Sequence, residues 1–164
     1  MKQSNPGEST RITVAGGNLA GWRQALGELA LACAGSFPAE EAQRLRDMRR
    51  LLAAAPMPAL LRGLAVPCAE RVEELVRADA ASTAALEMMA PDFGYLLSRG
   101  ASGQHLASVI LPGAEEETSA SGDTLALALI GAIGLALVEA ALIDGQHGLP
   151  DRRIRTRPGA SRLN

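Results

Sequence analysis

Aromatic side chains are nearly missing from this chain: Trp22, Phe37, Phe93 and Tyr95 are the whole set among 164 residues. Lysine is scarcer still, since Lys2 is the only one and arginine supplies the other fifteen of sixteen basic residues. Cysteine is limited to Cys33 and Cys68, too few for a disulfide framework. Both thiols fall on apolar faces of expected helices, where they behave as small hydrophobes, so a reducing cytoplasmic setting is the simplest expectation. The stretch Met1–Glu8 has no apolar run of the signal-peptide kind.

Each scarcity excludes something. Without aromatics there is no stacking platform for single-stranded nucleic acid. A net charge of −2 leaves no global basic field, so nucleic acid is not an expected partner. The arginines are spread along the whole chain and read as base-composition pressure in a GC-rich, bacterial-type genome. The alternative is selection for two-point binding of carboxylate or phosphate.

What is abundant is alanine and leucine, within a hydrophobic fraction of 48%. Both are strong helix formers, while strands favour β-branched and aromatic residues. Length and a charged fraction of 21% suit one packed domain. Residues 1–10 are polar and read as a mobile tail, 11–145 as a single helical domain, and 146–164 as a flexible Arg-rich tail.

Arg11–Ala15 alternates and is a candidate short strand, ended by Gly16 and Gly17. Asn18 then suits a helix N-cap, and Leu19, Trp22, Leu26, Leu29 and Cys33 follow on one helical face, with Gly35 placed to end the helix in a left-handed turn. A second helix begins near Ser36-Phe37-Pro38, with Leu45, Met48 and Leu52 as its stripe, and stops before Pro56 and Pro58. A short turn over Ala59–Ala65 follows.

A third, long helix is expected from Pro67 to Pro91. Cys68, Val72, Leu75, Asp79, Ser82, Leu86 and Met89 keep heptad spacing, which puts polar Asp79 in the middle of the seam, where such residues set register or partner choice. The competing reading has the helix rotated and Asp79 solvated. Glu73 and Arg77 form an i,i+4 pair worth about 0.3 kcal/mol. Tyr95–Arg99 and His105–Leu111, separated by a Gly-rich loop, read as a β-hairpin. Glu115–Gly122 reads as a polar loop, and Asp123 or Ser121 as the cap of the last helix.

That helix, Thr124–Ile143, is polar only at Thr124 and Glu139. Twenty residues at 1.5 Å rise come to about 30 Å, enough to cross a bilayer core. Ala128, Ala132, Ala136 and Ala140 form a small-residue ridge, and arginines follow the segment. Against a membrane span stand its many alanines, Glu139, and the need to export the long N-terminal region without a signal peptide. The other helices have narrow apolar stripes and need an apolar centre to pack on, which an all-round apolar helix supplies.

Candidate chemistry is sparse. Val14–Asn18 resembles a phosphate-binding turn but lacks dinucleotide or P-loop spacing. Ser102 and His105 have no nucleophile-elbow context and no acid placed by spacing. Asp144, His147 and Asp151 are spaced to ligate a metal, yet include one His and flexible neighbours. Cys68 has no basic residue beside it to activate it as a nucleophile. No catalytic residue, metal or cofactor is expected.

The fold expectation is mainly α, four to five helices packed around the apolar C-terminal helix with one short β-hairpin. The alternative is an α+β fold in which Arg11–Ala15 joins the hairpin as the third strand of a small sheet. The functional expectation is a non-enzymatic interaction protein (assembly factor, accessory subunit or regulator) in the cytoplasm. It would bind another protein or itself through helical faces, with Asp79, Ala128, Ala132, Ala136, Arg152, Arg153 and Arg155 as contact residues. One alternative is a single-span inner-membrane protein anchored by 124–143. Another is a small enzyme or ligand binder using the 93–111 hairpin, with a pocket near Tyr95, Arg99 and His105.

Overall fold

The computed structural model describes residues 18–147, with side chains through Ile143. Among them are five α-helices and one three-stranded antiparallel sheet. The helices are α1 (Leu19–Gly35), α2 (Glu41–Ala53), α3 (Ala69–Arg77), α4 (Ala81–Leu86) and α5 (Leu125–His147). The strands are β1 (Gly94–Arg99), β2 (His105–Ile110) and β3 (Thr118–Gly122), in that spatial order. The architecture is therefore α+β, closer to the alternative than to a bundle with a lone hairpin. The third strand is a different one from that expected: Arg11–Ala15 lies outside the described residues, and β3 falls in the segment read as a polar loop.

α5 lies on β2 and β3 and is flanked by α1, α2 and α4. Its residues Ala126–Ile130, Ala132, Ile133, Ala136, Leu137 and Ala141 are buried around the helix rather than along one stripe. Over Leu125–Ile143 the mean hydropathy is 2.4 and 67% of the most apolar window is buried, so the stretch long enough to cross a membrane serves here as the centre of the packing. The helix continues through Gly145 to His147 instead of stopping at Asp144. Its first-turn cap is Thr124, whose Oγ accepts from the Leu127 N–H at 3.2 Å, not Asp123 or Ser121.

β3 exists because its side chains are small. A Cβ on Gly122 would stand 2.8 Å from the Ala128 nitrogen, and one on Gly131 would stand 3.1 Å from the Ala120 Cβ. A strand of Val and Ile would hold α5 away. The same economy explains why no hydrophobic alternation marked the strand in the sequence. α1 joins from the other side: a Cβ on Gly134 would be 3.4 Å from both the Ala30 Cβ and the Leu26 carbonyl oxygen.

α1 is capped as expected, with the Asn18 side chain accepting from the Ala20 N–H at 3.0 Å. It does end at Gly35, but without a left-handed residue: the chain leaves through extended Ser36, whose hydroxyl donates to the Ala32 carbonyl at 2.8 Å. The one tryptophan, Trp22, is buried and donates its indole N–H to the Leu51 carbonyl at 2.7 Å, joining α1 to α2.

The long third helix is two helices. At Asp79 the backbone is left-handed, φ 55°. The Ala80 N–H reaches back to the Leu75 carbonyl at 2.9 Å and the Asp79 N–H to Val76 at 3.1 Å. This is a Schellman helix end with Asp in the place usually held by Gly, a conformation that short polar Asp tolerates. The heptad seam is therefore cut at its centre, and Asp79 is exposed in the turn. Cys68 also leaves the seam: it is the exposed residue preceding α3. Glu73 turns away from Arg77 and pairs with Arg46 of α2.

Candidate functional site

The sequence-predicted contact residues do not form one surface. Ala128, Ala132 and Ala136 are buried, so their ridge is consumed by packing within the chain. Asp79 stands alone on the α3–α4 turn. Arg152, Arg153 and Arg155 lie outside the described residues, as does Asp151, and no side chain is described for Asp144 or His147. Ser102 is exposed in the hairpin loop and His105 is half-buried at the start of β2.

The sheet offers a surface that helix-based reasoning passed over. Strand residues alternate between faces. Ala107, Val109, Thr118 and Ala120 point at α5, and Leu97 lies on the same side. Leu96, Leu106, Ser108, Ile110 and Ser119 point outward. On that outer face Ser108 and Ser119, paired across β2 and β3, share a hydrogen bond of 2.6 Å. Leu96 is paired with Ser108, which makes Leu106 and Ile110 its diagonal neighbours. All three are well exposed: Leu96 at 65%, Leu106 at 44% and Ile110 at 40%. Ile110 also leans over Gly94, where a Cβ would sit 3.3 Å from its Cγ2. Among the described residues no helix packs against this face, and β1 is bordered by β2 alone. Tyr95, at 52% exposure, and Arg99 sit on the open edge.

No protein family, curated protein or solved structure matches the chain.

A second feature is an open cleft of about 570 Å³ at the opposite end of the strands from the hairpin loop. Leu60, Leu111, Ala136 and Ala140 supply apolar wall. Arg62, Glu115, Glu116, Thr118 and Glu139 supply polar groups. Thr118 donates to the Glu139 carboxylate at 2.8 Å. Tyr95, Arg99 and His105 are not among its lining.

Titratable groups with perturbed chemistry lie in the helical half and have internal partners. Arg46 grips Glu73 at two points, Nε to Oε1 at 2.6 Å and Nη2 to Oε2 at 2.8 Å. Arg71 grips Glu87 likewise, with its shortest contact at 2.6 Å. The hydrogen bond from the guanidinium, more than its charge, holds each glutamate below its usual range. Asp47, buried in the middle of α2, accepts from Arg50 at 2.8 Å and Gln43 at 3.0 Å. Burial pushes the Cys33 thiol up to about 12, which keeps it protonated. Two-point carboxylate binding by arginine is thus present, and its carboxylates are the chain's own. No group of three metal-ligating side chains occurs among the described residues.

Proposed function

We propose that this chain is a non-enzymatic interaction protein acting in the cytoplasm, and that its contact surface is the outer face and open edge of the sheet rather than a helical face. The observation that carries this reading is the contiguous patch of Leu96, Leu106 and Ile110 around Ser108, left uncovered beside an open strand. Isolated exposed leucines are ordinary, but grouped ones on a sheet face beside unpaired backbone mark a docking surface. The inward use of the α5 alanines supports the same choice, because it removes the helical ridge from competition.

The test compares the wild-type chain with Leu96→Ser/Ile110→Ser as bait in cell extract, after both are shown to melt alike. A specific companion retained by the first and lost by the second supports the proposal. Companions that ignore the change overturn it. A carbonate wash of the membrane fraction tests the setting: the chain is expected in the supernatant, and retention in the pellet would return α5 to the role of an anchor.

A further inference from the structure

Among the described residues the outer edge of β1 is unpaired, and it has a definite hydrogen-bonding parity. The Gly100 N–H donates to the Gln104 carbonyl at 2.8 Å, and this pair continues the β1–β2 register by one step beyond Arg99 and His105. Antiparallel partners alternate between pairs that exchange backbone hydrogen bonds and pairs that do not. Gly100 belongs to the bonding set, and so do Ser98, Leu96 and Gly94. The N–H and C=O groups of Tyr95, Leu97 and Arg99 therefore turn away from β2, toward the open edge.

From this parity we infer that β1 pairs antiparallel with β1 of a second copy of the chain, about a two-fold axis at Leu97, joining two three-stranded sheets into one of six strands. The inference rests on the sheet being the contact surface. Only registers that set like faces side by side keep the patch on one side, and these place an odd residue opposite an odd one. Centring on Leu97 engages all three open residues of each copy. Shifting the centre by one residue, to Leu96 or Ser98, leaves one open residue of each copy without an open residue opposite it. Shifting further toward the loop centres the pairing on Arg99 and sets two guanidinium groups against each other.

The Leu97 register is also chemically complementary. It puts Tyr95 of each copy directly opposite Arg99 of the other, on the inner side of the sheet. Among the described residues the Arg99 guanidinium has no carboxylate partner, only a 3.4 Å contact from Nε to the Gly103 carbonyl, which leaves its face able to lie over a tyrosine ring. On the outer side the two Leu96 residues become diagonal neighbours. Their patches then merge into one apolar surface running across both copies, larger than either supplies alone.

Sedimentation equilibrium of the full chain, from low to several hundred micromolar, tests the inference. A reversible monomer–dimer equilibrium is expected, because a six-residue edge is smaller than a standard interface. Tyr95→Pro removes an open-edge N–H without touching the β1–β2 ladder, and edge strands tolerate proline. It is expected to weaken dimerisation by at least about tenfold, or about 1.4 kcal/mol. Arg99→Glu is the second variant, expected to weaken it in the same direction, and Trp22 fluorescence confirms that both fold. A chain that stays monomeric throughout overturns the self-pairing, while the companion-protein test of the outer face keeps its own answer. A dimer indifferent to both substitutions overturns it too, since its interface would lie elsewhere.

Discussion

Arg46 on α2 and Glu73 on α3 form a two-point clamp across the helix pair, 27 residues apart in the chain. Both are partly exposed, so the clamp orients α3 more than it stabilises it. The sign of its pH dependence follows from the lowered Glu73 and Glu87 values. A carboxyl depressed in the folded chain contributes stability above its ordinary value of 4.5, and that contribution is lost as pH falls through the depressed one. Melting temperature is expected to decline below that pH, and Glu73→Gln to flatten part of the decline. High salt should shrink the difference between the two proteins.

The two cysteines should behave as opposites. Cys33 is buried and its thiol is raised from 9.0 to about 12, whereas Cys68 is exposed. At mildly alkaline pH, iodoacetamide is expected to label one cysteine in the native chain, with peptide mapping placing it at Cys68, and both after unfolding. The linkage runs the other way from the glutamates. The folded chain keeps a proton that the unfolded chain releases above pH 9, so stability falls with rising pH by up to about 1.4 kcal/mol per unit in that window. Cys33→Ala should remove this alkaline slope.

Gly131→Ala sets two effects against each other. Helix propensity favours alanine by up to about 1 kcal/mol. The added methyl would lie 3.1 Å from the Ala120 Cβ on a paired strand that has little room to retreat. Overpacking of this kind costs about 1–3 kcal/mol, so net destabilisation is expected in denaturant titration. Ala120→Gly in the same chain should restore most of the loss, and additive behaviour of the pair would show that the contact is looser than described.

Asp79 occupies a left-handed position, φ 55°. Asp79→Gly is expected to preserve or slightly raise stability, and Asp79→Leu to lower it by roughly 1–2 kcal/mol through the Cβ clash of that conformation. Neither should change the association state. If Asp79→Leu altered oligomerisation while leaving the melt unchanged, the heptad-seam reading would be restored.

Much of the helical half was legible because side-chain periodicity and caps speak locally. Asn18, the Leu26-Leu29-Cys33 face and the Leu45-Met48-Leu52 stripe stand where spacing put them. The hairpin was legible from two apolar runs about a Gly-rich loop. β3 was not, because Thr118–Gly122 is a strand selected by what α5 can approach, and small residues carry no alternation to detect. The break at Asp79 was hidden by alanines on both sides, good helix formers that serve equally well in a turn. The interaction surface proposed here was missed for a different reason. Leu96, Leu106 and Ile110 looked like ordinary strand hydrophobics, and which face they take depends on the side α5 covers.

α3 packs mainly on α2 and α4, burying Val72 and Leu75, and arginines tie down its rim: Arg46 to Glu73, Arg71 to Glu87, and Arg49 to the Pro67 carbonyl at 3.0 Å just before it. The core around α5 is held by shape instead. Acid and salt loosen the first kind of attachment and leave the second nearly untouched. The rim of α3 is therefore sensitive to acid and salt while its buried Val72 and Leu75 are not, and amide exchange under acidic, high-salt conditions is expected to reach the exposed side of α3 before the heart of α5.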